Sequence, residues 1–179
     1  MKISIREMVL VSLFTALTAV GAFISIPMDP VPITLQTLFV LLAGILLGPK
    51  LAAISQLLYV ILGLMGIPIF AGFTGGLQTI IKPNFGFLIG FIVAAYIIGK
   101  ISTQDYKGIT VAALIGTIVI YLIGLPYMYF ILNYVMNMQL SFFEVFKLGA
   151  LLFIPGDIIK MIISIIVGGK MIRYNLHSV

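Results

Sequence analysis

The sequence predicts an all-α integral membrane protein with six transmembrane helices. Of its 179 residues, 62% are hydrophobic and only 8% are charged, whereas a soluble domain has about 45–50% apolar and about 25% charged residues. A soluble fold of this size could not remove so many apolar side chains from water. All polar stretches are short, so we expect residues 1–179 to form a single transmembrane domain.

Six apolar runs are the basis of that count, since a membrane helix needs roughly 17–25 residues. They cover residues 6–25, 33–48, 50–66, 84–101, 109–132 and 154–172, and the second is short. The first run follows Lys2 and Arg6, as in a signal peptide. However, no small-x-small cleavage site closes it, so we expect it to be retained.

The distribution of positive charges predicts that both termini lie inside the cell. With six spans and an inner N-terminus, the inner side carries seven cations: Lys2, Arg6, Lys50, Lys100, Lys107, Lys170 and Arg173. The outer side carries two, Lys82 and Lys147, and Lys160 falls within the last span.

Prolines and long connections mark the outer side as the place for a ligand pocket. Seven of the eight prolines lie toward that side, and only Pro49 lies toward the inner side. Irregular backbone near a membrane is tolerated where it lines a cavity, although prolines can also simply end helices. The outer segments 25–32 and 66–82 are long, and the glycines of the second suit either a lid or a plain surface loop. In the fifth loop, Ser141 and Glu144 form a capping box that predicts a short helix.

Several kinds of chemistry are missing from the chain. Zero cysteines exclude disulfides, iron–sulfur clusters and thiolate zinc sites. The string 44–50 (GILLGPK) has the wrong spacing for a phosphate-binding loop, so the chain should not hydrolyse ATP alone. Asp157 has no second membrane aspartate with which to form a protease dyad. We therefore expect a protein that is not an enzyme and holds no cofactor or metal.

Asp157 and Lys160 are the strongest candidate binding residues. Their i, i+3 spacing puts both on one helix face, and charges within a span usually point at a partner, a cavity or a substrate. The alternative is an ion pair that only steadies the sixth helix.

Uncharged polar and aromatic residues extend this candidate site. Thr34, Gln36, Asn84 and Asp157 all fall near the outer helix ends, with Lys82 beside them, and their convergence suggests a small, partly apolar ligand rich in hydrogen-bonding groups. Taken singly, each could instead bond between helices. The full candidate set is Thr34, Gln36, Gln56, Tyr59, Phe70, Lys82, Asn84, Phe85, Asp157 and Lys160.

The first helix carries small residues, among them Ser12, Ala16 and Ala19. Small residues let another helix approach closely. That helix could belong to this chain or to a separate membrane subunit.

Three strings resemble the BioY family, the biotin-specific substrate-binding subunits (S-components) of energy-coupling factor (ECF) transporters. They are 26–72 (IPMDPVPITLQ to GIPIFAG), 82–91 (KPNFGFLIGF) and 155–160 (PGDIIK), and the resemblance covers nearly the whole chain. It implies a six-helix S-component fold in a prokaryotic cell membrane and capture of biotin from outside. It also implies a membrane-coupling subunit, which would dock on Ser12, Ala16 and Ala19, and two ATPase subunits. Where many members read P-T-G-G-Y, this chain has PNFGF at 83–87, in which Asn84 could replace one hydroxyl.

Biotin suits the candidate residues chemically. Its ureido ring has two N–H donors and one carbonyl acceptor; Asp157 can accept, Lys160 can donate, and Asn84 and Gln36 can do both. The sulfur ring needs apolar walls such as Phe70 or Phe85, and the carboxylate could meet Lys82 or Lys160. The alternatives are an S-component for thiamine or riboflavin, a self-sufficient facilitator, and a purely structural subunit.

Overall fold

The computed structural model describes residues 4–177, with side chains up to Tyr174, and they form mostly helix. Lys2 of the positive-charge count lies outside the described residues. The helices are α1 (Ile5–Phe23), α2 (Gln36–Leu64), α3 (Phe85–Ile101), α4 (Tyr106–Phe130), α5 (Phe142–Phe146) and α6 (Ile154–His177). Two π-helical turns, Ile131–Val135 and Lys147–Leu151, extend α4 and α5, and Leu77–Thr79 forms a 3-10 turn.

Helix α2 is folded back on itself at Gly48. The Gln36 amide donates to the Tyr59 hydroxyl at 2.9 Å, although a straight helix would separate these residues by about 34 Å at 1.5 Å per residue. Gly48 allows the reversal with φ 74° and ψ 175°, a conformation that is essentially restricted to glycine. The arms 36–47 and 49–64 therefore match the second and third predicted spans.

The helical segments correspond to the six predicted apolar runs, but the segments are unequal in length, and some are short for a membrane span. By length and apolar composition, three helices could cross a membrane: Ile5–Phe23, Tyr106–Val135 and Gln36–Leu64, the last of which is folded back into two shorter arms. The pair Phe142–Leu151 and Ile154–Tyr174, bent by 42°, makes a fourth if it counts as one span, and Phe85–Ile101 is a shorter apolar helix. The arm 36–47 is about 18 Å long, less than the bilayer core of about 30 Å, as its short apolar run suggested.

Two connections between the long helices contain short regular elements of their own. The proline-containing connection between α1 and α2 forms a small antiparallel hairpin of β1 (Ser25–Ile26) and β2 (Ile33–Thr34). The Ser141–Glu144 capping box is present and starts the short helix α5, which confirms that prediction.

The bundle has two distinct ends. One, called here the site end, carries the β-hairpin, the start of α2, the segment 65–84 and the start of α6. At the opposite end α3 packs on the reversal of α2, where a Cβ on Gly99 would lie 2.5 Å from Gly48 and Pro49 backbone atoms. Arg173 of α6 stacks there on the Tyr106 ring, 4.7 Å from its centroid. The main core lies between these ends, where α2 contacts α1, α3 and α6.

Candidate functional site

A buried ion pair stands at the centre of the site end. Asp157 lies in the first turn of α6, where the helix dipole favours a carboxylate, and its Oδ1 is 2.5 Å from Lys160 Nζ. The two residues are only 8% and 4% exposed. The Tyr121 hydroxyl donates to Asp157 Oδ2, and Lys160 donates to the Thr34 carbonyl at 3.0 Å. The pair thus joins α6 to α4 and to the β-hairpin.

Both charges keep hydrogen-bonding capacity for a ligand. An ammonium has three donors and a carboxylate about four acceptor positions. Lys160 uses two directions, toward Asp157 and Thr34. Asp157 Oδ1 accepts no hydrogen bond of good geometry within the described part of the chain, despite its ion-pair contact.

A chain of hydrogen bonds supports the same region from α2. The Thr34 hydroxyl donates to Gln36 Oε1 at 3.0 Å. Gln36 Nε2 donates to Tyr59, and the Tyr59 hydroxyl donates to the Ile69 carbonyl at 3.0 Å. Tyr59 is fully buried. These hydrogen bonds therefore connect the segment 65–84 to both arms of α2 away from solvent.

Thr34, Gln36 and the Asp157–Lys160 pair line a small, partly open pocket, called here the chamber. It has a volume of about 50 Å³, enough for a few water molecules at about 10–15 Å³ each. Its polar wall contains Thr34, Gln36, Thr37, Asn84, Thr117, Tyr121, Asp157 and Lys160, and its apolar wall contains Val31, Pro32, Ala71, Phe87, Leu88, Phe91, Ile120 and Phe153. Polar groups therefore converge on an otherwise apolar pocket, which is typical of small-molecule sites.

A larger cavity, called here the vestibule, adjoins the chamber at the site end. Its volume is about 860 Å³. Pro32, Ala71 and Asn84 line both spaces, so the two are contiguous. The Asn84 side chain does not cap α3, and its amide therefore remains available at this junction. Lys82 and Asp29 line the vestibule.

Five of the ten candidate residues line the chamber: Thr34, Gln36, Asn84, Asp157 and Lys160. Lys82 lines the vestibule. Tyr59 lines neither space, but its hydroxyl accepts a hydrogen bond from the Gln36 amide.

Gln56, Phe70 and Phe85 do not line either space. Gln56 is fully buried and donates to the Thr18 hydroxyl of α1 at 3.2 Å. It therefore bonds between two helices, the alternative to a role in binding a ligand. Phe70 packs edge-on against Tyr59 with centroids 5.4 Å apart. Phe85 is buried beside Tyr127. The candidate site accordingly contains fewer of the proposed residues than the sequence suggested.

Tyr121 and Phe87 are the site residues that sequence reasoning missed. Tyr121 carries a hydroxyl in the middle of an apolar run, the same signal that singled out Tyr59. Phe87 lines the chamber where Phe85 was expected, and its ring meets Tyr121 edge-on with centroids 6.2 Å apart. Phe85 and Phe87 are two residues apart on α3, which corresponds to about 200° of helix rotation. The two rings therefore lie on nearly opposite sides of the helix.

The small residues of α1 point in different directions. Ser12 and Ala16 are exposed, whereas Ala19 is buried in the core of this chain. Ser12 and Ala16 are therefore open to a neighbouring helix, and Ala19 packs within the bundle.

The comparisons with known proteins identify the family. The BioY family model matches residues 1–175. The chain belongs to the BioY family. A protein of Lysinibacillus sphaericus, a probable biotin transporter BioY, is 41% identical over 95% of this chain and 88% of its own. A probable biotin transporter BioY of Pyrococcus horikoshii is 43% identical over 93% of this chain and 96% of its own.

A solved structure resembles this BioY-family chain closely. It is the crystal structure of the S-component for biotin from an ECF-type ABC transporter, with a TM-score of 0.81 and 28% identity over 93% of this chain and 90% of that one. The predicted S-component fold is thereby confirmed, and with its apolar helices the chain is a multi-pass membrane protein. Its relatives are named as transporters, not enzymes.

Proposed function

We propose that this chain is the biotin-binding S-component of an ECF transporter. The observation that carries the proposal is the buried Asp157–Lys160 pair in a chamber of a BioY-family fold. The names of the relatives and of the solved structure support biotin as the ligand. They do not favour thiamine, riboflavin or a structural subunit.

In the proposed complex, the ureido ring of biotin lies at the ion pair. Asp157 accepts a hydrogen bond from a ureido N–H, and Lys160 and Asn84 donate to the ureido carbonyl. The aromatic rings of Phe87, Phe91 and Phe153 provide the apolar wall for the sulfur-containing ring. Since the chamber of about 50 Å³ holds only a few water molecules, the rest of the ligand extends into the vestibule.

The site end faces the outside in this proposal. Among the described residues, Arg6, Lys50, Lys100, Lys107, Lys170 and Arg173 lie toward the opposite end of the helices, and Lys82 and Lys147 lie toward the site end. That asymmetry follows the positive-inside rule. Single cysteines at Asp29 and Gln104 test it in the cysteine-free chain: an impermeant maleimide should label Asp29→Cys, and not Gln104→Cys, in intact cells. Labelling of Gln104→Cys alone would reverse the orientation.

Transport then requires partner subunits. The chain has no phosphate-binding loop of its own, so we infer that a membrane-coupling subunit and two ATPase subunits supply the energy, and that no cofactor is needed. The exposed Ser12 and Ala16 offer the coupling subunit a close helix contact.

Equilibrium binding of labelled biotin to the detergent-solubilised chain tests the ligand, with thiamine and riboflavin as competitors. Biotin alone should displace the label. The label must sit on the ligand, because the chain contains no tryptophan. Displacement by another vitamin would change the ligand assignment, and no binding by folded protein would overturn the proposed function.

A further inference from the structure

The vestibule is larger than the remainder of a biotin molecule requires. Its volume of about 860 Å³ is close to the upper end of the range of about 300–1,000 Å³ for whole small-molecule sites. The ring system of biotin is already placed at the chamber in the proposed function. Only the five-carbon acid tail remains, so the vestibule has room for a longer ligand.

Two opposite charges line this space without pairing. Asp29 and Lys82 both line the vestibule. Asp157–Lys160 is the single ion pair among the side chains of residues 4–174, so the Asp29 carboxylate and the Lys82 ammonium are not in contact. Asp29 is exposed and Lys82 is half-buried.

This charge pattern fits a zwitterion better than a monoanion. The carboxylate of free biotin would gain from Lys82, but Asp29 would repel it. A ligand that ends in an ammonium and a carboxylate would use both side chains. Three methionines and two leucines of the vestibule (Met28, Met136, Met138, Leu140 and Leu148) provide apolar, adaptable surface for a flexible alkyl chain.

We propose that the vestibule binds the amino-acid group of biotin conjugates, with ε-N-biotinyl-lysine as the ligand that fits it. In this compound the biotin carboxyl is joined by an amide to the lysine side chain, which leaves a free α-ammonium and α-carboxylate. The α-ammonium donates to Asp29, the α-carboxylate accepts from Lys82, and the lysyl methylenes lie against the methionines and leucines. The inference rests on the proposed function, because the biotin ring is placed in the chamber.

The test is competition against labelled biotin by unlabelled biotin, ε-N-biotinyl-lysine and biotin butylamide, a neutral amide of comparable length. The wild-type chain should bind the conjugate within tenfold of biotin. Asp29→Asn should raise the Kd of the conjugate about threefold, the size typical of an exposed charge pair, and leave the butylamide unchanged. Lys82→Gln should weaken both biotin and the conjugate, since each carries a carboxylate.

Asp105→Asn is the matched control. Asp105 caps α4 at the opposite end through the Gly108 N–H, and asparagine caps helices as well as aspartate does. This variant should change no affinity. Binding of the conjugate more than tenfold weaker than biotin, or an unchanged ratio of the Kd values of the conjugate and the butylamide in Asp29→Asn, would overturn the inference. Absence of biotin binding would instead overturn the proposed function.

Discussion

Replacing Asp157 with asparagine should weaken biotin binding by at least tenfold. The change keeps the shape of the side chain but removes the acceptor proposed for a ureido N–H. A hydrogen bond to a charged group contributes about 1.5–3 kcal/mol, and 1.4 kcal/mol is a factor of ten in Kd. The expected loss therefore lies between about tenfold and somewhat more than a hundredfold.

The same substitution should also lower stability, which has to be separated from the binding effect. Lys160 is 4% exposed and would lose its counter-ion at 2.5 Å. Breaking a buried pair by removing one partner costs about 3–5 kcal/mol. The double variant Asp157→Asn/Lys160→Met removes the uncompensated charge, so the midpoint of thermal unfolding should recover while biotin affinity stays low.

The assay is competition binding of biotin alongside thermal unfolding of each variant in the same detergent. Biotin affinity within twofold of wild type in Asp157→Asn would remove Asp157 from the binding site. Recovery of affinity in the double variant would mean that the pair acts on binding through stability alone.

Three further changes test the roles given to Tyr59, Gln56 and Gly48. Tyr59→Phe leaves the Gln36 amide and the Ile69 carbonyl without a partner, which should cost about 1–3 kcal/mol and speed hydrogen exchange in the segment 65–84; unchanged exchange would contradict the supporting role of Tyr59. Gln56→Ala should lower the unfolding midpoint but keep biotin affinity within twofold, whereas a tenfold loss would put Gln56 back in the site. Gly48→Ala should destabilise the chain by about 1–3 kcal/mol, because alanine is strained at φ 74° although no atom lies within 4 Å of the added Cβ. Gly156→Ala, whose Cβ would meet only ordinary contacts at 4.0 Å, should not destabilise it, and equal losses at both glycines would refute the strain argument.

The helical segments of this fold could be predicted because lipid imposes a simple requirement. Each membrane helix needs a long apolar run, and Gly48 and Pro49 mark the reversal of α2. The hairpin of β1 and β2 could not be predicted in the same way. Its two-residue strands are too short to show an alternating pattern.

The sequence identified the two charged residues of the site, but it did not identify all the residues that line the chamber. Asp157 and Lys160 stand out because charges are rare in apolar runs. In contrast, a membrane helix can be apolar both where it meets lipid and where it meets protein, so periodicity does not show which side faces inward. For this reason the sequence pointed to Phe85 and Gln56, whereas the structure places Phe87 and Tyr121 at the chamber.

A structure of the chain with biotin bound tests the central claim most directly. The ureido ring should lie in the chamber, with a ring nitrogen and the ring carbonyl oxygen within hydrogen-bonding distance (about 3.2 Å or less) of Asp157 and Lys160, respectively. The acid tail should point toward Lys82 in the vestibule. Biotin bound with its carboxylate on Lys160 and its ring in the vestibule, or bound away from both spaces, would contradict the account.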